Sequence, residues 1–478
     1  MTGISRRLIT FVLTSLLAGA VALSSCAGEP LPEPGSEPAA PEPTAPEPVP
    51  APELVEKGYQ ANMTKNNVVI RAVRSETGGE AFSEQTGFGP QYRMWADEIN
   101  REGGLYIKSL DRRVPVDVQI YDDESDTDNT KRLFEEIVGS ERPDLVLPPF
   151  GEDKLFAVAP IAQRHDYLLI AGEGSSLELI MQLDAIRADY GEANTFLVRN
   201  NAEKQVPALA KLFRALGVDS VYGVYVNDFY NVEYWSATEA ALAEAFVEIT
   251  GSEAVDPEDF DAAAIIENAI TSGAKAFVCF AGPEQSVPVM NAAIALEYRP
   301  EAYFTGEGVS SDYYSVDAWG DYTREGLTGV MGLGAWNEKS GPGAKEYNDR
   351  FRGYWTEKGL FWLDADGLPA DSESPVYQDW WIDICCYSGL QILQQAVENA
   401  GELDENGMIK NSTLITYING GAVFDTAMNP ALVFEDNRPA GDMFSGNIGQ
   451  WQNGVFEVID ADHRRTADPL YPKPPWSA

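Results

Sequence analysis

The stretch AFVCFAGPEQSVPVMNAAIALEYRPEAYFTGEGV, residues 276–309, decides the fold. Its apolar runs at 276–280 and 303–305 are typical of buried strands, and the segment 287–296 between them has helical spacing. A strand, a helix and a second strand in this order predict a parallel pair joined by a crossing helix. The second strand leads Glu307 into a turn flanked by glycines.

The same alternation continues on the N-terminal side of this stretch. Further strands are predicted at 67–73, 114–121, 145–147, 167–171 and 221–226, with helices around 92–99, 133–137 and 234–246. Strands that alternate with helices at these lengths predict an α/β fold whose parallel sheets are covered on both faces. The pattern therefore predicts two α/β lobes in succession.

The composition excludes one large class of partners. The chain has 478 residues, with 75 acidic against 34 basic side chains and a formal net charge of -41. Such a chain repels phosphate backbones, so nucleic acid is not an expected partner. An apolar content of 44% is enough for two or three globular domains.

The N-terminus predicts export. Residues 1–25 combine a short basic segment with an apolar run of signal-peptide length, and they end before Cys26. The string Leu23-Ser24-Ser25-Cys26 resembles the lipidation site of bacterial lipoproteins, although plain secretion and twin-arginine export stay open. Residues 26–65 follow as a linker, with ten prolines between positions 30 and 52. We expect an extracytoplasmic protein that is anchored to the cell membrane through Cys26.

Motifs for catalysis, metals and cofactors do not stand out. The two histidines, His165 and His463, lie in no nucleophile or zinc signature. The acidic turn 122–129 lacks the glycine and the final glutamate of a calcium loop, which favours a solvated turn that caps the next helix. Cys279 is expected as a buried small residue, and 385–386 as helix residues. The sequence predicts a protein that is not an enzyme and needs no metal or cofactor.

The order of five motifs resembles one known family, the branched-chain amino-acid binding proteins of ABC transporters, which have the type I periplasmic-binding-protein fold. The motifs are ADEINREGG at 96–104, YDD at 121–123, AVAPIA at 157–162, TGEGV at 305–309 and GQWQNG at 449–454. The resemblance implies two Rossmann-like lobes joined by a hinge that the chain crosses three times. It implies lobe one at 66–195 plus 325–420, and lobe two at 196–324 plus 421–478.

The resemblance also implies a function and a site. A small-molecule ligand would bind between the lobes, which close around it, and would pass to ABC permease subunits in the membrane. The implied contacts on lobe one are Ser75, Thr77, Phe82, Phe150, Gly151, Glu152, Glu173, Gly174 and Ser175. On lobe two they are Phe229, Tyr230, Gly282, Glu284 and Glu307, of which Glu307 would accept hydrogen bonds from a ligand ammonium group.

Two residues depart from the family pattern. The family's carboxylate-binding loop is rich in Ser and Thr, but here it contains Glu152, and the second loop contains Glu173. A carboxylate that faces a ligand carboxylate in a desolvated cleft is unfavourable. We therefore hypothesise a cationic, amide-like or hydroxylated ligand instead of an ordinary amino acid. A ligand sensor of the same fold and an exported hydrolase stay open as alternatives.

Overall fold

The computed structural model describes residues 65–81, 84–256, 259–306, 326–341, 343–358, 381–428, 431–441, 447–460 and 464–476. The predicted signal segment, Cys26, Phe82 and Glu307 lie outside these ranges. The described residues all belong to one compact unit.

Sixteen strands lie in the described ranges. They are β1 (Val68–Arg74), β2 (Leu105–Ile107), β3 (Arg112–Val114), β4 (Val116–Asp122), β5 (Leu145–Leu147), β6 (Leu169–Ala171), β7 (Thr195–Leu197), β8 (Ser220–Val226), β9 (Glu248–Val255), β10 (Ala276–Phe280), β11 (Ala302–Thr305), β12 (Val330–Leu333), β13 (Phe434–Glu435), β14 (Arg438–Pro439), β15 (Ile448–Gln452) and β16 (Val455–Asp460).

Twelve α-helices lie in the same ranges. They are α1 (Gly89–Arg101), α2 (Thr127–Glu136), α3 (Glu152–Arg164), α4 (Leu177–Tyr190), α5 (Ala202–Gln205), α6 (Pro207–Leu216), α7 (Phe229–Glu244), α8 (Ala262–Ser272), α9 (Pro283–Ala295), α10 (Ala344–Lys358), α11 (Trp381–Ala400) and α12 (Asn411–Asn419). None of these described helices combines the length and the apolar character needed to cross a membrane.

The sheets confirm the predicted α/β class. In lobe one, β1 pairs in parallel with β4 and β5, and β6 pairs in parallel with β7. In lobe two, a seven-stranded sheet runs in the order β16-β15-β12-β11-β10-β8-β9. Its strands from β12 to β9 are parallel, and β15 and β16 add an antiparallel edge. The predicted strand–helix–strand unit at 276–305 forms β10, α9 and β11 in this sheet.

One predicted strand is divided in two. The segment 114–121 forms the end of β3 and most of β4, with Pro115 between them. Proline has no amide hydrogen to donate, so a ladder is interrupted there. The chain uses the break to change partners, since β3 pairs with β2 and β4 pairs with β1.

The hydrophobic cores separate the lobes. One pair of clusters draws its residues from the region before Val198 and from the region between Trp336 and Phe434. The other pair draws from Ala202 to Ala335 and from Ile448 onwards. The chain therefore passes between lobes three times, as predicted for the type I fold.

The predicted lobe boundaries differ from these cores at two places. The prediction assigned 325–420 to lobe one, but β12 lies inside the lobe-two sheet, next to β11. It assigned 421–478 to lobe two, but Phe424, Leu432 and Phe434 pack in the lobe-one core. The third passage follows β14, where sequence motifs gave no signal of a hinge.

Several smaller expectations are confirmed. Asp126 in the acidic turn caps α2, because its side chain accepts from the amide of Asn129. Cys279 is buried in β10, and Cys385 and Cys386 are buried residues of α11.

Candidate ligand-binding cleft

The predicted site residues lie where parallel strands end. In lobe one, Ser75 follows β1, the loop 148–151 follows β5 and the loop 172–176 follows β6. In lobe two, the residues after β8, β10 and β11 occupy the corresponding positions. Ligands of open α/β sheets bind outside the carboxyl ends of the strands, so both lobes present their binding edges.

Four helices begin at these edges. Gly151 precedes α3 with a φ of 86°, a left-handed conformation that favours glycine. Ser176 caps α4 by accepting from the amide of Leu179 at 3.2 Å. In lobe two, Asp228 caps α7 and Gly282 precedes α9. A helix N-terminus carries partial positive charge and orphan amides, so each is a potential anion site.

Two glutamates depart from the family pattern, and the carboxylate of each binds the start of the helix that follows the other loop. Glu152 begins α3, but its carboxylate accepts from the amides of Ser175 at 3.0 Å and Ser176 at 2.5 Å, at the start of α4. Glu173 lies before α4, but its carboxylate accepts from the amide of Gly151 at 3.0 Å, at the start of α3. Each helix end is therefore bound by a carboxylate from the other loop.

The two loops are also packed closely. A Cβ atom added to Gly174 would lie 2.5 Å from the Leu155 side chain and 2.9 Å from that of Leu179. A side chain at this position would displace the ends of these two buried leucines. Ser175 is buried beside it.

A buried arginine that the sequence analysis missed organises this edge. Arg74, the last residue of β1, donates through Nε and Nη2 to Glu84 and through Nη2 to Glu173 at 2.8 Å. Its Nη1 donates to the Tyr92 hydroxyl at 3.1 Å and to the Pro148 carbonyl at 3.0 Å. The guanidinium lies 4.5 Å from the centre of the Tyr92 ring, a cation–π distance.

The electrostatics of this cluster follow from burial and pairing. Burial opposes the charge of Arg74, but the carboxylates of Glu173 and Glu84 outweigh it and hold its pKa well above the usual value. Burial raises the pKa of Glu84, against the lowering effect of Arg74. The guanidinium therefore stays charged and fixes both carboxylates in place.

The other residues predicted after β1 have partners within lobe one. The buried Ser75 donates to Glu80 at 2.9 Å, and the buried Lys154 donates to the same oxygen. Thr77 is exposed, and its amide and hydroxyl donate to Asp122 at 3.0 and 2.7 Å. Ser75 therefore belongs to the charged edge, whereas the polar groups of Thr77 are bound at the end of β4.

Aromatic rings stand on both sides of the cleft. Phe150 is half-buried and packs edge-on against Phe88, with ring centres 5.0 Å apart. In lobe two, Tyr230 is half-buried and its ring lies 4.5 Å from that of Tyr234. Phe229 and Glu284 stand in the first turns of α7 and α9, but their side chains lie outside the described part of the structure.

One carboxylate of lobe two reaches lobe one, and the sequence analysis missed it. Glu233 on α7 accepts from the amide of Leu177, the first residue of α4, at 3.1 Å. Burial raises the pKa of Glu233, the Leu177 amide opposes this, and the carboxylates of Glu152 and Glu203 raise it further. Glu152 and Glu233 are therefore close enough to interact across the two lobes.

A cavity of about 640 Å³ lies beside this link, between α4 of lobe one and α7 of lobe two. Leu177, Met181 and the alanines of α7 form an apolar floor, and glutamates, among them Glu203 and Glu233, stand around it. The space between the lobes is therefore not filled on this side.

The chain matches the family described as periplasmic binding protein over residues 76–454. This chain belongs to the periplasmic binding protein family. Similar solved structures show the same fold. A leucine-binding protein from Thermotoga maritima is 15% identical, with 82% of this chain and 98% of that chain covered and a TM-score of 0.60.

Two further structures were solved with ligands. A branched-chain amino-acid transporter substrate-binding protein from Streptococcus pneumoniae, in complex with isoleucine, is 15% identical, covers 82% of this chain and 98% of its own, and has a TM-score of 0.61. A solute-binding protein from Rhodopseudomonas palustris, in complex with 3,4-dihydroxybenzoic acid, is 14% identical, covers 85% and 99%, and has a TM-score of 0.60.

The family confirms the resemblance, the two-lobed fold and the prediction of a binding protein in place of an enzyme. The individual ligand contacts stay predictions. The structure brings Gly151, Glu152, Glu173 and Ser175 together at one edge of lobe one, and it places Tyr230 and Gly282 after the carboxyl ends of β8 and β10 in lobe two.

Proposed function

We propose that this chain is a lipid-anchored extracytoplasmic solute-binding protein of an ABC importer. It captures a small polar ligand, an amino acid or an amide or cationic relative, by closure of the two lobes. It then delivers the ligand to permease subunits in the membrane. The observation that carries the proposal is the contact of Glu233 with the start of α4, which links the binding edges of both lobes.

Closure is the step that the geometry supports. The lobes have separate cores and are joined by three chain passages, which allow a rigid-body hinge motion. A ligand that touches both edges binds the closed form better and shifts the population towards it. The amide of Leu177 and the carboxylate of Glu233 come from opposite lobes, so their hydrogen bond exists only when the lobes are close.

Similar structures were solved with small ligands of different kinds. The Streptococcus protein was solved with isoleucine and the Rhodopseudomonas protein with an aromatic acid. One fold therefore accepts different chemistry, and the side chains at the edges select it.

The binding proposal is tested by native mass spectrometry of the purified chain, followed by thermal unfolding with the compound identified. We expect one small molecule per chain and a stabilisation that grows with its concentration. Small-angle scattering should show a smaller radius of gyration when it is added. A chain that purifies empty and gains no stability from a broad panel of amino acids, amides, amines and aromatic acids would contradict the proposal.

The anchor is tested separately in cells. Wild type should label with a radioactive fatty acid and sediment with membranes, whereas Cys26→Ala should not label. Removal of the neighbouring permease genes should abolish uptake of the identified compound. Uptake that persists, together with a lost transcriptional response, would favour the sensor over the importer.

A further inference from the structure

We infer that lobe one is built to exclude a ligand carboxylate, because the chain's own carboxylates fill its anion sites. The ligand then presents a cationic or neutral hydrogen-bond donor group to the edge formed by Glu152 and Glu173. This inference rests on the proposed function and names the ligand class of the same cleft.

Two helices of lobe one begin at the cleft with amides that could bind an anion. The starts of α3 and α4 would attract an anion, since their amides lack helical partners. The amides of Gly151, Ser175 and Ser176 already donate to Glu173 and Glu152. The amide of Leu177 donates to Glu233 from the opposite lobe. An incoming carboxylate would have to displace these bonds.

The cations near the two loops are buried. All the guanidinium nitrogens of Arg74 donate to Glu84, Glu173, Tyr92 or Pro148, and the side chain is fully buried. Lys154 is 1% exposed and bonded to Glu80. Arg199, at the hinge, donates to the carbonyl of Glu173. The charged groups of Arg74 and Lys154 are therefore buried and bonded to carboxylates of lobe one.

Carboxylates outnumber cations among the described groups that are hydrogen-bonded at the two loops. The cations are Arg74, Lys154 and Arg199, and the carboxylates are those of Glu80, Glu84, Glu152, Glu173 and Glu233. A buried ligand anion would add a like charge without a partner, which is unfavourable in a desolvated site.

The same arrangement accommodates a donor. A carboxylate has about four acceptor positions, so Glu152 can accept from a ligand while it holds the Ser175 and Ser176 amides. A positive group between Glu152 and Glu233 would also offset the repulsion of these carboxylates as the lobes close. Such a ligand favours the closed form.

The direct test uses matched probes that differ at one group: leucine against leucinamide, glycine betaine against choline, and 4-hydroxybenzoate against 4-hydroxybenzamide. Titration calorimetry on the wild-type chain should show binding of at least one amide or cationic member, with its carboxylate partner at least about tenfold weaker. A carboxylate member that binds as tightly as its partner would overturn the inference and leave the proposed function standing. Failure of all six, with an empty chain in native mass spectrometry, would contradict both.

A variant tests the filled anion sites themselves. Glu152→Ser frees the amides of Ser175 and Ser176, so the variant should gain thermal stability when acetate replaces chloride at constant ionic strength. Wild type should not, and neither should Glu178→Ser, which changes an exposed acid in the first turn of α4. If wild type is stabilised by acetate as much as the variant, the anion sites are open and the inference is wrong. If Glu152→Ser does not fold, the ligand pairs on wild type decide the question.

Discussion

Both lobes bury parallel sheets, but different residues lie at the carboxyl ends of their strands. In lobe one, the carboxyl ends lead into a buried set of ions around Arg74 and Glu173. In lobe two, the core at the corresponding ends is aromatic. Phe280, the last residue of β10, lies edge-on to Phe304 with ring centres 5.6 Å apart and is 5.7 Å from the ring of Tyr234. Glycines follow two of these lobe-two strands, Gly282 after β10 and Gly306 after β11. The comparison indicates that buried ion pairs fix the strand ends of lobe one, whereas aromatic packing lies at those of lobe two.

The largest expected effect is in the lobe-one ion cluster. Arg74→Met should lower the free energy of unfolding by about 3–5 kcal/mol, since it leaves Glu84 and Glu173 buried without their partner. Urea denaturation measures the change. Arg74→Lys should recover only part of it, because an ammonium group cannot reproduce the fork of five donors. A loss below about 1 kcal/mol would mean that the cluster is not a stabilising feature of lobe one.

The corresponding weak point of lobe two is a close contact between sheet and helix. A Cβ added to Gly223 in β8 would lie 1.9 Å from the ring of Trp235 in α7. Gly223→Ala should therefore lower the free energy of unfolding by about 1–3 kcal/mol through overpacking. Gly353→Ala is the control, because its added methyl group meets nothing within 4 Å and lies in a helix, where it should stabilise. Equal behaviour of the two variants in urea would contradict this account.

Removal of a helix cap should cost the same stability in either lobe. Ser176 caps α4 of lobe one and Asp261 caps α8 of lobe two, each by accepting from amides of the first turn. Ser176→Ala and Asp261→Ala should each cost about 1 kcal/mol of unfolding free energy. A much larger loss for Ser176→Ala would show that this cap also supports the neighbouring ion cluster. Thermal unfolding of both variants in parallel measures the difference.

The link between the lobes should depend on pH. The pKa of Glu233 lies above its ordinary value of 4.5, so the folded protein holds this proton more strongly than the unfolded chain does. Protonation of Glu233 therefore contributes to the free energy of unfolding below pH 4.5. This contribution is lost as the pH rises through the raised pKa of Glu233. Glu233→Gln keeps an acceptor for the Leu177 amide, so it should be more stable than wild type at neutral pH and similar in acid. Melting curves of wild type and Glu233→Gln from pH 4 to 8 measure the difference.

The smallest effect is expected for an exposed ion pair. Arg132 and Glu136 form a pair on the surface of α2, with both side chains 62% exposed. Arg132→Ala should change the unfolding free energy by less than about 0.5 kcal/mol. It is the control for Arg74→Met, and a loss as large as that of Arg74→Met would show that arginine removal acts through net charge and not through burial.

The fold could be predicted from the sequence because its signals are local. The apolar runs at 145–147 and 276–280 coincide with β5 and β10, since short buried strands need continuous apolar residues. The division at Pro115 was missed, because strand propensity alone does not specify pairing partners. The lobe boundaries depend on which core a segment joins, which is a tertiary property.

The site was only partly predictable for a related reason. The resemblance to the family placed Gly151, Glu152 and Glu173 at the edge, but their partners could not be read from the sequence. Arg74 pairs with residues 10 and 99 positions away, in a chain that offers 75 acids. Glu233 binds a backbone amide, which has no sequence signature at all. Long-range pairing therefore decides the chemistry of the cleft, and no local pattern records it.

The amides at the start of α4 can report the opening of the cleft in a spectrum. The amides of Ser175 and Ser176 donate to a carboxylate of their own lobe, whereas the next amide, that of Leu177, donates to a carboxylate of the other lobe. In a nitrogen-15 spectrum of the labelled chain, the Leu177 resonance would follow the opening of the cleft. The two preceding resonances would serve as an internal standard, so three consecutive residues contain both the probe and its calibration.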